Sequence, residues 1–161
     1  RMKKLLTIML ALALSLGMTA CGGKDSGDYK PADVQAMAEA GAFSETLEEL
    51  DADTAFSALY RLESYGLARE DLKDCAVLRS AGATCEEGAV LVLDSEAHAK
   101  DAQKALEDYV QGQIDANEDY GYRLAEVPKL KDAYIDVKGC TVLMVVANDL
   151  EAAKKAVDGK S

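Results

Sequence analysis

The side chains able to do chemistry are few and scattered. His98 is the only histidine in 161 residues. With no second histidine and no nucleophile motif around any serine, a Ser-His-Asp arrangement would rest on that ring alone. It falls in the first turns of a helical stretch among charged neighbours, so it reads as a surface residue. No GxSxG, P-loop or dinucleotide glycine pattern occurs. One stretch has metal-ligand spacing: Asp115, Asn117, Asp119 and Glu126 stand at positions 1, 3, 5 and 12 of a calcium loop. Tyr120 occupies position 6, where the sharp turn needs glycine, and Gly121 comes one place late. An acidic helix end followed by a surface loop explains the same letters, and no metal or cofactor is expected. Carboxylate-dependent hydrolysis needs only two acids at a set separation. The chain has 29 Asp and Glu, and nothing singles out a pair, so no catalytic residue is assigned. Tyr109, Tyr120, Tyr122 and Tyr134 could form a sugar or peptide platform, or be half-buried edge residues with wet hydroxyls.

The remaining chemistry belongs to cysteine. Of four cysteines, Cys21 stands apart. Arg1-Met2-Lys3-Lys4 is basic, residues 5–20 carry no charge, and Met18-Thr19-Ala20 leads into Cys21-Gly22-Gly23. A basic start, a short apolar run and a small-residue exit make an export signal. The run falls short of the roughly 20 apolar residues that span a bilayer. Its exit resembles the lipobox of bacterial lipoproteins, with Met18 where Leu is usual. The resemblance implies cleavage before Cys21 and a diacylglyceryl thioether on its sulfur. Each buried methylene is worth about 0.8 kcal/mol, and two acyl chains hold where one barely does. Arg1 precedes Met2, so Met2 is expected to be the true start. An odd number of cysteines remains, namely Cys75, Cys85 and Cys140, and these cannot all pair within one chain. Strand register sets Cys75 opposite a residue near Val90 rather than Cys85, which argues against a bridge between them. Free thiols are the reading for all three.

Charge narrows the partners. Lys and Arg number 18 against 29 acids, a net charge of −11. The leader holds three of the basic residues, so residues 21–161 keep 15 against 29, close to −14. So acidic a domain repels phosphate backbones, and nucleic acid is not an expected partner. Anionic headgroups repel it as well.

The elements that must position these side chains follow from periodicity. Residues 1–20 read as a signal peptide, 21–30 as the lipidated cysteine and a flexible linker, and 31–161 as a single domain. The nine linker residues from Gly22 to Lys30 reach roughly 16 Å on average. Pro31 opens a short helix carrying Val34, Met37 and Ala38. Phe43, Leu47 and Leu50 repeat at helical spacing in a segment short enough to be extended instead, and another short helix, capped by Asp53, carries Phe56, Leu59, Tyr60 and Leu62 up to Gly66. Residues 75–80 and 87–93 read as a hairpin. Asp94 or Ser95 then caps the longest helix, to about Ala116, with Ala102, Leu106, Tyr109 and Val110 on one face. A polar connection, 117–131, precedes a second hairpin, 133–138 and 141–147, whose second strand is apolar on both faces and hence central. Asn148 and Glu151 start a last helix, ended by Gly159. The sum is an α+β fold: a four-stranded, mostly antiparallel sheet of two hairpins. The long helix and the C-terminal helix pack on one face, and short helices precede the sheet.

Three stretches carry a wider resemblance: GAFSETLEELDADTAFSALYRLESYGL, GATCEEGAVLVL and AYIDVKGCTVLMVVAND. They resemble the lipoproteins of domain-of-unknown-function family 4358, over about Ala32 to Val157. The resemblance implies a home in clostridia and related Gram-positive bacteria. That family has no assigned activity, so only the anchor cysteine, Cys21, carries over. The expectation is a non-enzymatic, extracytoplasmic binding or interaction module. It would be held to the cell membrane through diacylglycerol on Cys21, with an envelope protein or small ligand as partner. The alternatives are a structural or assembly factor and, behind it, a carboxylate hydrolase.

Overall fold

The structure, a computed structural model, describes residues 28–158. The leader, Cys21, the first part of the linker and Gly159 lie outside the described residues.

Five strands form one antiparallel sheet in the order β1-β2-β3-β5-β4. They are β1 (Glu48–Leu50), β2 (Leu72–Arg79), β3 (Glu87–Leu93), β4 (Tyr134–Lys138) and β5 (Thr141–Val146). The helices are α1 (Ala32–Glu39), α2 (Glu96–Tyr120), α3 (Val127–Lys131) and α4 (Leu150–Asp158). Both hairpins form, and they join through β3 and β5 at the centre, from Glu87↔Val146 to Val92↔Thr141.

Two expectations change. The sheet has five strands rather than four, because the stretch around Leu47 and Leu50 is extended and pairs with β2 from Glu48↔Arg79 to Leu50↔Val77. So short a segment is a poor isolated helix. As a strand it satisfies the open edge of β2 while Leu50 packs against the core. The second change concerns the layers. Ala89, Leu91, Leu93, Val142, Met144 and Val146 pack with α2, whereas Val90, Leu143 and Val145 pack with Val34 and Met37 of α1 and Ala153 and Val157 of α4. The long helix and the last helix therefore cover opposite faces. Central strands that are apolar on both sides need cover on both sides.

Helix α2 approaches the sheet through small residues, with Ala99, Ala102 and Ala105 all buried beside Leu106, Val110 and Ile114. Ser95 caps it by accepting from the His98 amide at 3.2 Å. It runs past the expected end at Ala116 to Tyr120, where Gly121 takes a left-handed turn at φ 63°.

The ends of the sheet are distinct. Tyr29, read as linker, is buried; its amide donates to Thr141 Oγ1 at 3.0 Å and its hydroxyl to Asp136 Oδ2 at 2.5 Å. Gly139 makes room there, since a Cβ would fall 2.6 Å from Asp28 Oδ1. The chain thus enters at the Thr141 end. The C-terminal part of α2 lies at the other, where Asn117 Nδ2 sits 3.9 Å from Cys85 Sγ.

Cys75 lies opposite Leu91, one place from the expected register, and Cys75 and Cys85 are free thiols. Burial raises both thiol pKa values. Cys140 departs from the free-thiol reading: it is disulfide-bonded.

Candidate functional site

The segment between β1 and β2 shapes a cleft. Asp51 accepts from the amide and hydroxyl of Thr54, at 2.8 and 2.7 Å, and so starts a wide π-helical turn over Thr54–Leu59. Such turns are rare and recur at functional sites. Arg61 then adopts a left-handed conformation, φ 53° and ψ 46°, before a tight 3-10 turn over Leu62–Tyr65 that Gly66 ends at φ 88°. Phe56, Tyr60 and Leu62 are buried and pin the segment against α2. Between segment and helix lies a cleft of about 440 Å³, with Leu59, Tyr60, Arg61 and Tyr65 on one wall and Tyr109 and Gly112 of α2 on the other. Gly112 leaves the helix side open, because a Cβ there would meet nothing within 4 Å.

Behind the cleft stands a buried carboxylate. Glu87 accepts from Tyr60 Oη at 2.6 Å, Tyr109 Oη at 2.7 Å and Arg79 Nε at 3.1 Å. The two rings meet edge to face, 5.1 Å apart at 83°. Burial raises the pKa of Glu87, and its three donors pull the other way. Tyr60 and Tyr109 are raised by burial and then by the Glu87 charge. Arg79 is opposed by burial, yet Tyr109 and Glu87 hold it above its ordinary value. The network fixes both rings, and with them the rear of the cleft. At the rim, Asp108 accepts from Tyr65 Oη at 2.8 Å and from Lys104 Nζ.

Glu86, next in sequence and also buried, serves other elements. It accepts from the amide and hydroxyl of Ser44 and from the Asn148 amide, and lies 3.6 Å from Lys129 Nζ. It therefore ties the loop before β1 and the turn before α4 to α3. Glu86 and Glu87 share no partner and form no catalytic pair facing one space.

A family profile described as Domain of unknown function (DUF4358) matches residues 45–147, and the matched span contains the whole cleft and all five strands. The chain belongs to this family. No curated protein and no solved structure matches it. The DUF4358 span leaves α1 and α4 outside, so the cleft lies in the layer that the family match covers.

The residues singled out by sequence lie apart in this DUF4358 fold. His98 is half-buried rather than simply exposed: its Nδ1 lies 2.6 Å from Asp94 Oδ1 and 3.7 Å from Asp71 Oδ2. The Asp94 bond raises the His98 pKa and lowers that of Asp94. Their ligand atoms and that of Asp71 lie within 4.8 Å of one another. Asp71, however, is already engaged by the Ala68 amide at 2.7 Å, and the N-terminus of α2 opposes a cation. The trio staples β2, the β3–α2 turn and α2 together. The calcium spacing fails for a plain reason: Asp115, Asn117 and Asp119 lie within helical α2, and no loop exists there. Asn117 is buried and donates to Gln113 O, while Glu126 holds the Cys85 amide and Lys129. Cys21 lies outside the described residues.

The tyrosine platform is also divided. Tyr109 lines the cleft, Tyr134 packs on the opposite face beneath Lys154, and Tyr120 and Tyr122 stand 85% and 67% exposed at the end of α2. Sequence reading missed Arg61, Tyr65, Arg79 and Glu87. Tyr60 was legible as an apolar-face residue, but a π turn leaves no periodic signal and the Glu87 donors come from three separate elements.

Proposed function

We propose that this protein is a lipid-anchored cell-envelope protein, and that its domain is a non-enzymatic module that binds a small ligand in the Tyr60–Tyr109 cleft. The observation that carries this reading is a concave, tyrosine-walled space whose rear is fixed by a saturated buried carboxylate network. Preformed concave sites with a few placed polar groups are the usual form of small-ligand sites. The basic start, apolar run and Ala20-Cys21 exit support attachment through diacylglycerol on Cys21, with the chain outside the cytoplasm. The test pairs two measurements. Peptide mass spectrometry of the membrane fraction is expected to find acylated Cys21; recovery of Cys21 without acyl chains, as thiol or disulfide, overturns the anchor. A melting-temperature screen against amino acids, short peptides and N-acetyl sugars is expected to yield ligands that raise Tm. The gain should vanish in Gly112→Leu, which fills the cleft; a gain that survives places binding elsewhere.

One observation favours the second reading, an assembly or interaction factor. Tyr120, Tyr122 and Leu124, 55% exposed, are the large hydrophobic residues left exposed among those described, and all lie within five positions. Leu124 also lines a groove of about 470 Å³ with Val127 and Pro128. This patch sits at the end of the sheet opposite Tyr29, where the tether joins. Clustered exposed apolar residues mark interaction surfaces.

A further inference from the structure

The charges around the cleft say more about what fits it. Arg61 is the one cation among its lining residues and Asp108 the one anion. Asp108 is already taken up by Tyr65 Oη and Lys104 Nζ. The Arg61 guanidinium is exposed and makes no hydrogen bond or ion pair among the described residues. The uncompensated charge of the cleft is therefore positive, in a protein of net charge −11.

The backbone at Arg61 adds to the point. A left-handed conformation costs a residue other than glycine on the order of 1 kcal/mol. Such strain gathers at ligand sites, where surrounding structure over-determines it. Here it sets the arginine where the π turn gives way to the 3-10 turn, beside Tyr65 at the mouth of the cleft. The floor below is apolar, formed by Leu59, Ala105 and Gly112 with the ring of Tyr109. A guanidinium presents a planar fork of donors that matches a carboxylate with two parallel bonds.

We propose that the cleft takes a ligand with a single carboxylate on Arg61 and a flat or short aliphatic body laid over Tyr109 and Gly112. The proposal rests on the cleft-binding reading and names the chemistry of that site. A monoanion is favoured over a phosphate ester, because Asp108 at the rim and the acidic surface oppose a second negative charge.

The test uses hippurate and its uncharged twin hippuramide on the full-length protein in nanodiscs, followed by ring signals of Tyr65 and Tyr109 in NMR titrations. Hippurate is expected to shift both signals saturably, with a Kd about three to five times lower than that of hippuramide, the range for an exposed charge pair. Arg61→Gly suits the left-handed backbone, so the fold is kept while the fork is removed. In that variant the two Kd values should converge. Gly112→Leu should abolish both responses. Equal Kd values in the unaltered protein overturn the carboxylate assignment and leave the cleft reading standing. Phenyl phosphate binding more tightly than hippurate overturns the monoanion choice. No shift at either tyrosine with any probe overturns both readings.

Discussion

Glu87 illustrates how one buried residue can fix the wall of a cleft from behind. Three donors meet a carboxylate that burial penalises, so deleting a donor leaves charge under-satisfied. Tyr109→Phe should cost about 1–3 kcal/mol in urea unfolding, well beyond the loss of one exposed hydroxyl. His98 makes a different claim, about pH. Its folded pKa is raised by Asp94, so the stability it adds is fully present below its unfolded value, about 6.5. That contribution is lost as pH rises through the folded value. Asp94, lowered by the same contact, adds stability above about 3.9 that is lost as pH falls through its folded value. The pair thus works between those limits. His98→Ala should destabilise by less than about 1 kcal/mol near pH 5.5, and the difference from the unaltered protein should shrink as pH rises through the folded value of His98; parallel stability curves would contradict this. None of the Glu87 partners was legible from spacing. Tyr60, Arg79 and Tyr109 reach Glu87 from a π turn, a strand and a helix, and only the fold brings them together.

Among the elements, what sequence made legible was whatever follows from local period and turn chemistry. Strand β3 spans 87–93, as read from its apolar run, and the Ser95 cap and the Gly66 turn stand where punctuation placed them. Layering was not read correctly, although the signal was present: β5 was seen to be apolar on both faces, and that already called for a second helical layer. The edge strand β1 escaped because three residues carry too little pattern. Helix α2 carries its own test. Gly112 costs the helix about 1 kcal/mol relative to alanine, and a Cβ there meets nothing within 4 Å. Gly112→Ala should therefore raise stability by about that amount in urea unfolding. At Gly88 the opposite holds. A Cβ would lie 3.0 Å from the Phe43 ring and 3.3 Å from Met37 Cε, so Gly88→Val should cost about 1–3 kcal/mol and loosen α1, read as faster amide exchange there.

For the whole molecule, polarity is the organising fact. The chain joins the domain at the Thr141 end of the sheet, and the exposed Tyr120–Leu124 patch projects from the other. The proposed anchor on Cys21 would direct the opposite end away from the membrane. The cleft lies alongside α2, on the face that α1 and α4 leave to the DUF4358 span. Acidic charge keeps such a domain soluble and off anionic headgroups. Under the proposed reading, ligand binding belongs to the cleft and partner docking to a separate surface. A crystallographic fragment screen tests that assignment most directly. Bound fragments are expected between Leu59–Tyr65 and Tyr109–Gly112 and absent from Gly112→Leu crystals; fragments confined to the groove at Leu124 and Pro128 would overturn the cleft assignment.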